Sequence, residues 1–174
     1  MAAFSSVVSV RLLLEAGAVV DVQKEDGQVP LHSAGLSGQT SADKQDIVSL
    51  LCSAKSMKHI NSQDSEGGSP VFDYLDEIAC VKILVQHGAR LDISDTMGKT
   101  ILHHICIQDK SDTLETILRL ASDPTIATLA DHDGNTPLLD CLSHGSHACA
   151  MALQELEDVG QTIDIMAGPQ LTTL

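Results

Sequence analysis

The chain has 174 residues, the size of one ordinary domain, and its 24 acidic and 10 basic side chains leave a formal net charge of −14. A field of that sign repels nucleic acid and anionic membrane, and it favours a basic partner or serves solubility alone. With no Trp, one Tyr and two Phe, the interior has to be filled by aliphatic side chains, which suits stacked short helices better than a sandwich or barrel.

Five cysteines (Cys52, Cys80, Cys106, Cys141, Cys149) are odd in number and scattered, mostly among apolar residues. They read as buried free thiols of a reducing compartment. No N-terminal run has the basic start, apolar core and cleavage site of a signal peptide, and the apolar runs are too short to span a bilayer. A cytoplasmic or nuclear protein is expected.

In chain order, Val7 to Ala16 reads as a helix with Val7, Val10, Leu13 and Leu14 near one face, ended by Gly17. An extended piece, Ala18-Val19-Val20-Asp21-Val22, leads to the polar tip Gln23-Lys24-Glu25-Asp26 before Gly27. Pro30 opens a short helix, since proline at a helix start sacrifices no hydrogen bond. Gln39 to Gln45 is polar, and a second helix is predicted over Asp46 to about Ala54, capped by Ser41 or Asp43. The next unit has a helix from Pro70 through Phe72 and Leu75, a tight turn at Asp76-Glu77, then a helix over Ala79 to Val85 ended by Gly88. The third has helices at Ile101 to Ile107 and about Leu114 to Ala121. The fourth has Leu138 to Leu142 and Ala148 to Leu156, with an exit at Gly160 and Thr162-Ile163-Asp164-Ile165.

Four turn sequences organise this pattern: Asp26-Gly27-Gln28-Val29-Pro30-Leu31-His32, Glu66-Gly67-Gly68-Ser69-Pro70-Val71, Met97-Gly98-Lys99-Thr100-Ile101-Leu102-His103 and Asp133-Gly134-Asn135-Thr136-Pro137-Leu138. Their glycines stand at 27, 67, 98 and 134, and such steps mark a solenoid. The helix exits repeat as well: Leu13-Leu14-Glu15-Ala16-Gly17-Ala18 answers Leu84-Val85-Gln86-His87-Gly88-Ala89. Length differences fall at Gln39 to Lys44 and Lys55 to Lys58, at Asp76-Glu77, and at Ile107 to Thr113 and Ser122 to Ile126.

The unit resembles the ankyrin repeat, whose pattern is Asp-Gly-x-Thr-Pro-Leu-His-x-Ala with an apolar second helix and a Gly-Ala exit. The first copy has Val29 for Thr, the second Val71-Phe72 for Leu-His, the third Ile101 for Pro and the fourth Leu139 for His. The resemblance implies an all-α solenoid of about four helix-turn-helix units plus a partial N-terminal repeat. Residues 1–22 would be the partial repeat, 23–60, 61–93, 94–128 and 129–165 the full units, and 166–174 a tail. Val7 to Gly17 matches only a second helix, so its pairing helix is expected upstream of Met1. An apolar face would then be left uncovered, through an array cut at its start or a face that packs on another molecule.

The resemblance also implies roles for single residues. Gly27, Gly67, Gly98 and Gly134 would make the turns and Pro30, Pro70 and Pro137 the helix starts, while His32 and His103 would brace neighbouring backbone. The binding face would lie on the tips, Lys24-Glu25, Asp64-Ser65, Asp95-Thr96 and His132-Asp133. It would include the outward first-helix positions Ser33, Asp73, His104 and Asp140. Asp and Glu recur along that line, which suggests a basic or hydrogen-bond-rich protein segment as ligand. Each of these residues also has a plainer reading, as a solvated turn residue.

Two groupings invite chemistry. His103-His104-x-Cys106 offers zinc-ligand types, but adjacent helical residues diverge by about 100° and His103 already has a bracing role. Asp140-Cys141 with His144 suggests a nucleophile and base, yet Cys141 sits among Leu138, Leu139 and Leu142 and reads as packed. No cofactor, metal or catalytic residue is expected. The expectation is a non-catalytic protein-interaction module, a monomer or a fragment of a longer array. The alternative is a regulatory or substrate-presenting array of a larger enzyme, and a third reading is a structural spacer.

Overall fold

The computed structural model describes residues 6–36, 40–54, 59–121 and 123–155. The Gly160 exit, the tail and the Lys55 to Lys58 segment lie outside the described residues. Helices run in the order α1 (Ser6–Glu15), α2 (Pro30–Leu36), α3 (Ser41–Ser53), a 3-10 helix (Pro70–Tyr74), α4 (Ile78–Gln86), α5 (Ile101–Ile107), α6 (Ser111–Leu120), a second 3-10 helix (Pro124–Thr128) and α7 (Pro137–His144). Residues 147–155 are also helical. The β-like feature among the described residues is an isolated bridge between Ser94 and Thr100. None of the described helices is long and apolar enough to cross a membrane.

These pieces form two rows. α2, the first 3-10 helix, α5 and α7 pack in series as first helices, and α1, α3, α4 and α6 as second helices. One continuous apolar core lies between the rows, built on Val48, Val71, Val81, Leu84, Ile101, Leu102, Ile105, Leu114 and Ile117, and reaching Cys149 and Leu153. Fully burying such a side chain is worth about 1.5–3 kcal/mol, and neighbouring units are needed to do it. Polar ties also cross between units inside the core. Tyr74 donates its hydroxyl to the Leu31 carbonyl at 2.7 Å, and Thr113 donates to the Leu75 carbonyl at 2.8 Å.

At the α4 exit, Gly88 has φ +95 and lets the Ala89 amide return to the Leu84 carbonyl at 2.9 Å. Asn61, on the approach to the second turn, fastens this exit, donating to the Gly88 carbonyl at 3.0 Å and accepting from the Arg90 amide at 2.8 Å.

Several local expectations are corrected. α3 begins at Ser41, not Asp46, and its cap is Thr40: the Thr40 hydroxyl accepts from the Asp43 amide at 3.2 Å and donates to the Asp43 carboxylate at 2.9 Å. This first turn shows no apolar period because its side chains reach across to Glu77, with Lys44 Nζ 3.1 Å from Glu77 Oε1. The segment after Pro70 is a 3-10 helix; at about 2.0 Å rise per residue against 1.5 Å, fewer residues cover the same span in this shorter unit. α6 starts three residues before Leu114. Leu13, expected on the buried side of α1, is 59% exposed, while Val7 is buried and Val10 packs on the core.

Candidate functional site

The four turns share one hydrogen-bond plan. In each, the first residue's amide donates to the carbonyl four residues on: Lys24 to Gln28 and Asp64 to Gly68 at 2.9 Å, Asp95 to Lys99 at 2.9 Å, and Asp131 to Asn135 at 2.8 Å. Three of the four first residues are aspartates that turn one oxygen inward. Asp64 Oδ1 accepts from the Glu66 and Gly68 amides, Asp95 Oδ1 from Met97 and Lys99, and Asp131 Oδ1 from Asp133 and Asn135, all at 2.8–3.0 Å. These are turns closed by a carboxylate. In the first turn Lys24 holds the aspartate's place and Asp26 Oδ1 takes the Gln28 amide at 3.0 Å.

The turns are also tied to one another. The Ser65 amide donates to the Asp26 carbonyl at 2.8 Å, Thr96 to Glu66 at 2.9 Å, and His132 to Met97 at 3.0 Å. The result is a ladder of four tips in fixed register. Its closeness explains the glycines at the fourth turn position: a Cβ on Gly67 would lie 2.7 Å from the Thr96 amide nitrogen, and one on Gly98 would lie 2.7 Å from that of His132.

Behind the ladder, two histidines join turn to helix. His32 Nδ1 accepts from the Val29 amide at 3.1 Å and His103 Nδ1 from the Thr100 amide at 3.0 Å. Accepting there places the proton on Nε2, which meets the next unit's turn at the Gly68 carbonyl (3.2 Å) or the Asn135 carbonyl (3.0 Å). Burial holds the His103 imidazole below its ordinary pKa, consistent with this neutral tautomer. Phe72 fills the equivalent place in the second unit and packs edge-on against His104, centroids 5.4 Å apart. His104 in turn meets Asp95 Oδ2 at 2.8 Å.

The third and fourth units share a buried ion cluster. Lys99 Nζ lies 2.6 Å from Asp131 Oδ2 and 2.9 Å from Asp140 Oδ2. Burial alone would lower the Lys99 pKa, but the two carboxylates outweigh it and hold the ammonium above its usual range. The Lys99 bond holds the Asp131 carboxyl well below the ordinary carboxylate value.

The sequence-derived site residues therefore separate. Lys24, Glu25, Ser65, Thr96, His132 and Asp133 are exposed on the ladder. Asp64, Asp73, Asp95 and His104 are half-buried behind it; Ser33 is half-buried with its hydroxyl sheltered. Asp140 does not belong to an outward face: it is 4% exposed and committed to Lys99. The fourth tip pair also shifts by one, to Asp131-His132, because each turn begins three residues before its glycine. Counting back from Gly134 would have found Asp131. Asp26, Glu66 and Met97, at the third turn position, are exposed and stand outside the expected set. Asp73 has an unusual carboxyl: burial, then the neighbouring Asp64 charge, push its pKa up to about 7.

In the two chemical groupings, His104 is held by Asp95 and Cys106 is fully buried. Burial pushes the Cys141 thiol up, and His144 Nδ1 lies 2.9 Å from the Asp140 carbonyl, not its carboxylate. The five cysteines are buried thiols. Among the described residues there is no group of three or more His, Cys, Asp or Glu able to hold a metal ion.

A family model described as "Ankyrin repeats (3 copies)" matches residues 73–166, more than half of the chain. The sequence is 29% identical over 89% of its length to the poly(ADP-ribose) polymerase tankyrase of Caenorhabditis elegans, of which it spans 7%. It is 28% identical over 62% of its length to human BCL-6 corepressor-like protein 1, spanning 6% of that protein. It is also 28% identical over 54% of its length to the phosphocholine transferase AnkX of Legionella pneumophila, spanning 10%. The chain thus spans a tenth or less of each of these relatives.

Proposed function

The chain belongs to the ankyrin-repeat family, and from that premise we propose a non-catalytic protein-interaction module whose tip ladder presents an acidic edge to a basic or hydrogen-bond-rich segment of a partner. The observation that carries this reading is the ladder itself. It holds Glu25, Glu66 and Asp133 exposed at its edge, on turns tied to one another by backbone hydrogen bonds. A pre-ordered edge loses little freedom on binding, and a net charge of −14 draws cationic segments to it. The buried thiols are consistent with a cytoplasmic or nuclear setting.

Fluorescence anisotropy with a labelled Lys/Arg-rich peptide, and an Asp/Glu-rich peptide as control, tests the reading. Three exposed carboxylates at about 0.5 kcal/mol each predict roughly tenfold weaker binding for the Glu25→Gln/Glu66→Gln/Asp133→Asn variant, and weaker binding in high salt. Equal affinity of variant and parent, or indifference to peptide charge, would remove the acidic edge from the account.

A second reading has one observation in its favour. Tankyrase and AnkX carry the names of enzymes, and the chain matches only a small part of each. On that reading the array serves a larger enzyme as a regulatory or substrate-presenting part. The mass of the native protein, measured on an endogenous immunoprecipitate, distinguishes the two.

A further inference from the structure

Second helices leave their units in two ways. At α4, Gly88 in its left-handed conformation turns the chain back onto Leu84. α6 has no glycine at this place. Ala121 caps it with φ −65 and ψ 125, its amide on the Ile117 carbonyl at 2.8 Å, and the chain runs on into the second 3-10 helix. Between these unlike exits lies a groove of about 410 Å³, lined by Val85, Ala89 and Leu91 from one unit and by Leu120, Ala121 and Ile126 from the next. Clefts that take ligands run from about 300 to 1,000 Å³. Asp92 and Asp123 complete the lining; both are exposed, whereas the apolar residues are buried or half-buried, so the acids stand at the mouth.

One position explains why this junction stays open. Asp21, Asn61 and Asp92 each stand three residues before the first residue of their turn. Asn61 both donates to and accepts from the α4 exit, and Asp21 lies 3.6 Å from His59 Nε2 of the exit that follows it. Asp92 is their counterpart beside the α6 exit. A carboxylate has no proton for a carbonyl, and Asp92 turns both oxygens to Arg90 instead, at 3.0 and 2.7 Å. Facing it is a second acid. Asp123 Oδ1 accepts the Thr125 amide and hydroxyl at 2.9 and 2.7 Å, and these bonds hold its carboxyl below the ordinary range against the repulsion of Asp92. Among the described residues Asp123 Oδ2 has no partner. Two carboxylates and the Arg90 guanidinium leave the mouth net negative.

We propose that this groove docks a partner protein through an aliphatic side chain and a neighbouring arginine or lysine. The aliphatic group fills the space between the two exits, and the cation spans Asp123 Oδ2 and Asp92 at the mouth. Apolar walls beneath a pair of acids match that combination, because a basic side chain lays its stem on apolar surface while its head meets carboxylates. Neither end of the chain supplies the cation, since residues 1–5 and 156–174 hold no Lys or Arg. The site is separate from the tip ladder and does not rest on the acidic edge.

Heteronuclear NMR titration of the full chain with N-acetyl-leucyl-arginine amide tests the proposal. The amides of Ala89, Leu91, Ala121 and Ile126 should shift and saturate. The uncharged N-acetyl-leucyl-glutamine amide should bind roughly fivefold more weakly, and so should the arginyl probe on the Asp92→Asn/Asp123→Asn chain. Ala121→Phe fills the groove from an extended backbone conformation open to any side chain, and should abolish the shifts. If that chain loses its circular dichroism, the asparagine pair decides alone, because asparagine keeps the cap on Thr125. The Glu25→Gln/Glu66→Gln/Asp133→Asn chain should bind the probe at the groove as the parent does, so failure of the tip ladder and failure of the groove give different spectra. Equal affinity for the two probes would overturn the proposal, and so would shifts confined to the tips. Groove amides that move when the chain alone is diluted would show a second copy as the occupant and overturn it as well.

Discussion

Gly98→Ala isolates the contact that makes the tips a ladder. Gly98 has φ +80, a left-handed conformation that costs a residue with a Cβ about 1–2 kcal/mol. The new Cβ would also lie 2.6 Å from His132 Cδ2 and 2.7 Å from the His132 amide nitrogen. The imidazole can swing aside, but the amide is held by its 3.0 Å bond to the Met97 carbonyl. Relief means parting the third and fourth turns, which gives up that bond and loosens the His103 bond to Asn135. At about 1 kcal/mol per bond, the substitution should cost roughly 3–4 kcal/mol in all. Gly134→Ala is the control: φ is +82 but nothing lies within 4 Å of the added Cβ, so only the left-handed cost of about 1–2 kcal/mol remains. The difference of about 2 kcal/mol is roughly thirtyfold in the folding equilibrium. Urea unfolding followed by far-ultraviolet circular dichroism measures it. Gly98→Ala should also broaden or split the transition, since it uncouples the fourth unit from its neighbour. Equal losses for the two variants would show that turn-on-turn packing contributes nothing.

Three other substitutions probe the interior. Lys99→Met leaves the Asp131 and Asp140 carboxylates buried together and should lower the urea midpoint at pH 7, with the Lys99→Met/Asp131→Asn/Asp140→Asn chain recovering most of the loss. Because the Asp131 pKa is depressed and the Lys99 pKa raised, the cluster's contribution is present between about pH 4 and about pH 10.5 and fades outside that window. The Lys99→Met deficit should therefore shrink at pH 3. Asp73 has the opposite sign: its raised pKa, about 7, means that the fold resists its ionisation. Asp73→Asn should stabilise the chain by about 1 kcal/mol at pH 8, after allowance for partial solvation, with the gap closing as pH falls through 7 toward 4. Tyr74→Phe removes the buried bond to the Leu31 carbonyl and should cost about 1–2 kcal/mol at equilibrium; an unchanged urea midpoint would show that the bond adds nothing to stability.

The architecture was legible because its strictest requirement is a glycine. Glycine suits the positive φ of all four turns and, at Gly27, Gly67 and Gly98, the close approach of the next turn as well, so the turns at Gly27, Gly67, Gly98 and Gly134 reappear at solenoid spacing. Proline at three of the four first-helix starts, and apolar runs such as Leu84-Val85, mark the helices between those turns. The features that escaped the sequence depend on partners brought in by stacking. The polar start of α3 makes sense only beside Glu77, over thirty residues away. Asp140 looks outward by position and is turned inward by Lys99, 41 residues before it. Leu13 and Leu84 hold equivalent places in sequence, and only the neighbouring helix makes one exposed and the other buried.

The acidity of the chain accordingly has two origins, and they answer to different experiments. Asp64, Asp95 and Asp131 use one oxygen on the amides of their own turns; Asp95 and Asp131 use the other on His104 or Lys99. Removing any of them takes the acceptor from two amides of its own turn, at about 0.5–1.5 kcal/mol for each lost bond, before a partner is involved. Glu25, Glu66 and Asp133 sit in solvent at the same edge. An alanine scan across all the tip acids would therefore report weakened binding at Asp64 and Asp95 whether or not they touch a partner, because the ladder that orders the edge would itself be loosened. The discriminating comparison is binding against stability for each residue. A carboxylate that contacts the partner changes affinity with the melting curve unmoved, and a carboxylate that closes a turn moves both together.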